Sequence, residues 1–399
     1  MDGNQSLLSG RAYPHYVKYM GSKSKIMDFV LEGLRSVYAG GPICDLFAGS
    51  ASLAGAIGDR VPVHSNDIQA YSAVLADAYL TAYRHPGMAD ADFVLAEAEK
   101  AVLAKLDRHQ AVITDYDRPF TLEEFVELEA RQQNLISEVF ADDWHLFTKY
   151  YSGTWWSAEQ CLWIDSIREQ AERYRGTPSF ALLLSSLMYA MAYTSQGTGH
   201  YAQYRDAKTA SSLKDILIYR RRSVAKYFRR KYDEVMRWAP ESAPLHDHRT
   251  TALDFRDCLS TVSGGTVYAD PPYCFVHYSR FYHAIETLVR YDYPSIQVKG
   301  GKVVKGRYRD DRHQSPFCIR SQVTQAFRDM FDAVQKADAA LVLSYSNTGM
   351  ISVEEVGALI KECLPGRTHE LVLTNHQHMT LGRLSDRHRD VEECLFLVR

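Results

Sequence analysis

Four consecutive residues, Asp270-Pro271-Pro272-Tyr273, carry the strongest chemical signal in the chain. Two prolines in a row hold an extended turn and remove two backbone donors. A carboxylate, a fixed carbonyl and an aromatic ring remain, presented directly after the apolar run Thr266–Ala269. If that run is a strand of an α/β sheet, they lie at its carboxyl edge, where such sheets bind ligands. A planar, amino-substituted ring suits the set: its face stacks on Tyr273, and its amine donates to Asp270 and to the Pro271 carbonyl.

Three other short motifs belong beside it. Asp45-Leu46-Phe47-Ala48-Gly49-Ser50-Ala51-Ser52 closes an earlier apolar run. Its small residues let backbone approach a bound molecule, or simply turn a strand into a helix. It lacks the GxGxxG spacing of a nicotinamide site. Asn66-Asp67 ends the next run, where an acid either accepts from ribose hydroxyls or caps a helix. Lys23, in Tyr19-Met20-Gly21-Ser22-Lys23, is a partner for a ligand carboxylate or a solvated lysine.

The elements that must position these residues are legible as periodicity. Ile43–Phe47, Val61–His64, Thr266–Ala269, Ala340–Tyr345, Leu371–Leu373 and Cys394–Val398 read as buried strands. The first two flank a helix-like stretch, as in a parallel α/β unit. The segment between reads differently, with helical patterns over Phe93–Leu106, Leu122–Phe140, Ala158–Tyr174, Phe180–Ala192 and Ser212–Trp238. The expected organisation is a sheet-bearing catalytic domain over 1–80 and 240–399, interrupted by a helical insertion over 81–239. Thr194–Lys208 and Cys274–Arg320 read as irregular loops, the second long enough to suggest a functional role. Trp155 and Trp156 are candidates for base stacking or for core packing.

Composition sets limits. The chain has 399 residues, 46% hydrophobic and 24% charged, which excludes a disordered or fibrous polymer. No apolar run reaches the roughly 18 residues of a membrane span. The N-terminal sequence lacks a basic stretch leading into an apolar one, so no secretion signal is expected. Seven scattered cysteines without a CxxC pair suggest a reduced, cytoplasmic protein with no metal site. Net charge is −3, yet residues 90–143 hold fourteen acids against five bases, so the rest carries a surplus of six positive charges. Tyr219–Tyr232 holds seven bases and no acid, and Lys299–Arg312 six bases against two acids. Each is a solvated face or a polyanion-binding patch. On one helix, Arg222, Lys226, Arg229 and Arg230 share a face, the stripe that a polyanion would meet.

Taken in order, YxGxK, DLFAGSAS, ND, a long insertion and DPPY resemble the Dam-like α-group of DNA adenine N6-methyltransferases, over about residues 15–399. The resemblance implies a Rossmann-like class I methyltransferase sheet, with the insertion as the target-recognition domain. It implies S-adenosylmethionine as methyl donor and double-stranded DNA as substrate, with the adenine flipped out of the helix. A cognate restriction enzyme or other defence component is an implied partner. Carried over, Tyr19 and Lys23 contact the cofactor, Asp45, Phe47 and Gly49 line it, and Asp67 holds its ribose. Asp254-Phe255 resembles the acidic turn near its adenine, and Ser344-Tyr345-Ser346-Asn347 the strand end that follows DPPY. Asp270 faces both cofactor and target, and with Pro271, Pro272 and Tyr273 forms the catalytic set. Ala51 stands where the family usually has glycine, and its methyl is expected to narrow the methionine pocket. Cytosine N4, RNA or a protein glutamine remain alternative acceptors, and an inactive DNA-binding homologue an alternative class.

Overall fold

A computed structural model of the chain describes residues 8, 10–141, 144–197, 200–273, 275, 277–379 and 388–399, with the side chains of 111 and 374–392 left aside. The N-terminal stretch read for a secretion signal, and 198, 199, 274 and 276 of the two expected loops, lie largely or wholly outside the described residues.

Alternation along two strands shows how the sheet is buried. In the strand Ala340–Ser346, Leu341, Leu343 and Tyr345 enter one apolar core and Val342 the other. In His388–Val398, Leu395 and Leu397 join the core of Val342, and Cys394, Phe396 and Val398 join the core of Leu341 and Leu343. Both faces of this sheet are therefore covered, as an α/β architecture requires.

The chain runs α1 (Met27–Val37), β1 (Ile43–Asp45), α2 (Ser52–Ile57), β2 (Val63–Asn66) and α3 (Ala70–Leu80). It continues through α4 (Ala91–His109), α5 (Leu122–Gln133), α6 (Leu146–Tyr151), α7 (Ala158–Glu172), α8 (Pro178–Thr194), α9 (Ala210–Arg220) and α10 (Val224–Trp238). The sheet resumes with β3 (Arg249–Thr251), α11 (Phe255–Leu259), β4 (Thr266–Ala269), α12 (Tyr278–Phe281) and α13 (His283–Arg290). A small ribbon, β5 (Val298–Lys299) with β6 (Lys302–Val303), precedes α14 (Val323–Lys336), β7 (Ala340–Ser346), α15 (Val353–Cys363), β8 (His369–Met379) and β9 (His388–Val398).

Seven strands form one sheet in the order β3-β2-β1-β4-β7-β9-β8. The first five are parallel, and β9 and β8 close the edge antiparallel. Cys44 stands opposite Val267 and His64, so the carboxyl ends of β1, β2 and β4 lie level with one another. This Rossmann-like α/β fold agrees with the sequence reading, as does each expected strand. β3, three residues in an unremarkable polar context, was not legible.

The insertion is helical, and it shares a core with the sheet. Leu182, Leu184, Leu187 and Met188 of α8 join the same cluster as Leu75 and Ala78 of α3.

Two expectations are corrected, and one open alternative is decided. The single helix read over Ser212–Trp238 is two, because Ser223 turns its hydroxyl to the Lys226 N–H and caps α10. Gln160 holds the break open by donating to the Tyr219 and Arg222 carbonyls at 2.9 and 2.8 Å. Arg222 therefore lies outside the helix that carries Lys226, Arg229 and Arg230. The stretch read as a loop over Cys274–Arg320 contains α12, α13 and the β5–β6 ribbon, and α13 buries Ala284, Ile285 and Leu288. Trp155 and Trp156 are fully buried among aromatic rings, so their faces pack the core and are closed to bases.

Candidate active site

The turn after β1 is built around Gly49. Its φ of 53° lies in the left-handed region, and a Cβ there would stand 2.9 Å from the Tyr19 ring. Only glycine meets both demands without a shift. The Gly49 N–H donates to Asp67 Oδ2 and the Gln69 N–H to Asp67 Oδ1, each at 2.9 Å. Asp67 is thus aimed by backbone from two turns. Burial raises its pKa, and those N–H groups oppose the rise. A carboxylate has about four acceptor positions, so capacity remains for a ligand.

Asn66 has a different task. Its amide nitrogen donates to the Leu46 and Leu253 carbonyls, and its oxygen accepts from Leu253 N–H and the Thr251 hydroxyl. It pins the ends of β1 and β3 together. Asp254 follows and caps α11 through the Arg256 N–H, while Phe255 and Phe317 set their rings against Phe47.

The YxGxK turn is fastened from the far side. Tyr19 stacks on Tyr282 at 4.6 Å and on Tyr278 at 5.7 Å, and the Met20 N–H donates to Tyr282 Oη at 2.7 Å. Gly21, at φ 79°, leaves room for the Tyr278 hydroxyl, which a Cβ would meet at 2.9 Å.

Every residue expected to hold the cofactor or face the target lines one cleft at the carboxyl edge of the sheet: Tyr19, Lys23, Asp45, Phe47, Gly49, Asp67, Asp254, Phe255, Asp270, Pro271, Pro272 and Tyr273. The cleft encloses about 1160 Å³, part of it open to solvent. Ala51 does not line it. The residue is fully buried in the core at φ 55°, so its methyl does not narrow the pocket as expected from sequence.

Electrostatics centre on Lys23. Its ammonium stands 3.0 Å from Asp270 Oδ1, 3.6 Å from Glu393 Oε1 and 3.5 Å from the Tyr273 hydroxyl, which itself donates to Glu393 at 2.9 Å. Burial works against the charge, but Asp270 and then Glu393 outweigh it and hold the group above the usual lysine range. Lys23 therefore touches the Asp270 carboxylate directly, a contact the sequence did not suggest. Asp45 is the opposite case. Burial first, then the nearby Asp270 and Asp67 carboxylates, hold its pKa well above the ordinary value, and its Oδ1 is buried without a hydrogen-bond partner.

Sequence reasoning missed Glu393, Tyr278 and Tyr282. The signal for Glu393 was present: an acid opening the apolar run Cys394–Val398 of a buried strand.

The proposed DNA-contact stripe is only partly available. Arg229 is paired with Asp92 and Asp233, and Arg220 and Lys231 are buried against Glu129 and Glu234. Among the described residues no carboxylate pairs with Arg222, Lys226 or Arg230. Arg222 and Arg230 both lie over Tyr227, and Lys18, next to the cleft residue Tyr19, lies over Tyr193. These side chains form a basic and aromatic patch that adjoins the cleft. Lys18 was another omission. In the second basic stretch, Arg309 is buried and held by Asp292 and Asp311, which leaves Lys299 and Lys302 exposed on the ribbon.

Comparison with known proteins points to one family. The model of the D12 class N6 adenine-specific DNA methyltransferases matches residues 19–354. The modification methylase LlaI of Lactococcus lactis subsp. lactis is 22% identical over 85% of this chain and 48% of its own length. The type II methyltransferase M.FokI of Planomicrobium okeanokoites is 26% identical over 52% of this chain and 29% of its own. The modification methylase StsI of Streptococcus sanguinis is 21% identical over 87% and 46%. The chain thus spans less than half the length of these curated relatives. With the family model covering most of the sequence and its motif residues gathered in one cleft, the chain belongs to the D12 class of N6 adenine-specific DNA methyltransferases.

Proposed function

We propose that this chain transfers a methyl group from S-adenosylmethionine to the N6 amine of an adenine in double-stranded DNA. The observation that carries this reading is the placement of Asp270-Pro271-Pro272-Tyr273 in the wall of the same cleft as Gly49 and Asp67.

The residues fit the cofactor. Ribose hydroxyls and ammonium and adenine amines are donors, and the cleft offers them Asp45, Asp67 and Asp254. The unpartnered Asp45 Oδ1 is an acceptor awaiting a donor, and a cationic ligand there favours the ionised carboxyl. S-adenosylmethionine, when bound, supplies a methyl group on an activated sulfonium. Asp270 accepts a hydrogen bond from the target amine, and the Pro271 carbonyl accepts the second. Both interactions favour a tetrahedral nitrogen, whose lone pair in free adenine is spread into the ring. Lys23 holds Asp270 in place through their 3.0 Å ion pair, and Tyr273 offers its ring to the base. Alignment supplies much of the rate. Asp270 is not required as a strong base, because the amine proton becomes acidic once the nitrogen is alkylated.

Lys18, Arg222, Lys226 and Arg230 contact phosphates, with the β5–β6 ribbon as a second contact. The insertion over 81–239 serves target recognition. The enzyme works where the DNA lies, in the cytoplasm, and a cognate restriction endonuclease or other defence component is its partner, as the relatives' description as modification methylases suggests.

The test is sequencing that maps N6-methyladenine on DNA from a host expressing the chain, beside purified enzyme assayed with methyl-labelled cofactor. Wild type should methylate one sequence context. Asp270→Ala should keep DNA binding and lose about a hundredfold or more in transfer, the value of one positioned transition-state contact. Label recovered on cytosine, RNA or protein, or no label at all, overturns the proposal.

A further inference from the structure

Behind the cofactor cleft, three side chains with metal-ligating atoms converge from three elements. Cys44 lies on β1, His64 on β2 and Cys258 on α11, and all three are buried. Cys44 Sγ is 3.9 Å from Cys258 Sγ, and Cys258 Sγ is 3.9 Å from His64 Nε2. The three atoms all lie within 4.8 Å of one another, and no other such group of His, Cys, Asp or Glu occurs among the described residues. Both thiols are free, their sulfurs well beyond the roughly 2.05 Å of a disulfide bond.

A buried pair of cysteines is ordinary core packing. Here an imidazole joins the pair: His64 Nε2 lies as close to the Cys258 sulfur as that sulfur lies to Cys44, which sets three soft donors around one point. A tetrahedral ion with Zn–S of about 2.3 Å and Zn–N of about 2.0–2.1 Å sets its ligand atoms about 3.4–3.8 Å apart. The donors here need to close by only a few tenths of an ångström up to about one ångström. Two thiolates and a neutral imidazole around a dication carry no net charge, which removes the main objection to burying them. In this structure His64 Nε2 shares a hydrogen bond with the Thr251 hydroxyl at 2.9 Å, which coordination of an ion would replace.

We propose that Cys44, His64 and Cys258 form a binding site for one soft divalent cation of the Zn2+ kind. Its place in the fold states its purpose. Cys44 immediately precedes Asp45, His64 precedes Asp67 by three residues, and Cys258 follows Asp254 by four. The ion ties together, from behind, the three segments whose acids line the cofactor cleft. It is a brace of the cleft walls and touches no reacting atom.

The site is read with the full chain, purified under reducing conditions. Elemental analysis should find about one Zn2+ per chain, and the chelator-treated protein titrated with Co2+ should develop thiolate-to-metal charge-transfer absorption that saturates near one equivalent. Cys258→Ser should lose that absorption, while Cys161→Ser, whose thiol lies elsewhere in the core, should keep it. Zn2+ should raise the thermal midpoint of wild type and leave that of Cys258→Ser unchanged. If Cys258→Ser does not fold, His64→Ala supplies the second reading, a loss of Co2+ affinity of about tenfold or more. A folded wild type that retains no metal and gives no charge-transfer band overturns the proposal. So does a Cys44–Cys258 disulfide found by mass spectrometry in air-exposed protein that binds no ion.

Discussion

Replacing Lys23 by methionine isolates the work of the buried ammonium, since methionine keeps much of the length and the apolar stem. In the folded chain that ammonium sits 3.0 Å from Asp270 and 3.6 Å from Glu393. At an effective dielectric of about 20, each contact is worth about 5 kcal/mol before desolvation. Desolvation offsets most of it, and breaking such a pair costs about 3–5 kcal/mol because an unpaired charge is left behind. Asp270 is partly exposed, so the cost falls mainly on Glu393, whose side chain is only 2% exposed. We expect Lys23→Met to lower the unfolding free energy by about 3 kcal/mol near neutral pH, and Glu393→Gln in the same chain to restore about 1–2 kcal/mol by removing a buried charge that has lost Lys23. Denaturant unfolding of the four proteins gives the coupling directly. In the proposed reaction, Lys23 acts through Asp270 as a positioning residue. Lys23→Met should therefore lower kcat by about a hundredfold while leaving cofactor affinity nearly unchanged. Additive stability losses in the cycle would refute the pairing. A loss of about 1.5–3 kcal/mol in cofactor binding at unchanged kcat would instead place Lys23 on a cofactor carboxylate.

Gly49→Ala should abolish cofactor binding in calorimetry, because the added methyl meets the Tyr19 ring in a left-handed turn; retained affinity would show that the turn is not part of the site. Ala51→Gly should leave cofactor affinity unchanged, since Ala51 is in the core and outside the cleft; a clear gain would mean that the methyl does crowd the ligand. Lys226→Ala with Arg230→Ala should weaken binding to target and random duplexes alike and flatten the salt slope by roughly two, whereas Arg229→Ala, whose charge Asp92 and Asp233 already hold, should change neither. His283 is fully buried, and burial, aided by nearby arginines, pushes its pKa down to about 3. Its neutral form therefore contributes stability that is complete above about pH 6.5 and is lost as pH falls toward about 3, by about 1.4 kcal/mol per pH unit. The penalty for His283→Asn in denaturant unfolding should shrink between about pH 7 and about pH 5; an equal penalty at both would refute the buried neutral state.

The sequence by itself determined the sheet apart from β3, the order of its motifs and the strand-end residues that line the cleft. Strand ends such as Asp45, Asp67 and Asp270 were legible because a short apolar run that stops at a turn residue is a local pattern, and parallel topology brings such ends to one edge. What each side chain does there was decided by tertiary structure. Asn66 and Asp67 are neighbours in sequence, yet one pins two strands and the other faces the cleft, a division set by partners on β1 and β3. Lys23 reads as a free cation until Glu393, 370 residues away, comes beside it. The basic stretch Tyr219–Tyr232 reads as one charged surface, but burial, acids from other helices and acids one turn along α10 take up Arg220, Arg229 and Lys231. Cys44, His64 and Cys258 carry no spacing signal at all. Strand pairing and the docking of α11 set them together, and no local pattern encodes a contact made across the sheet.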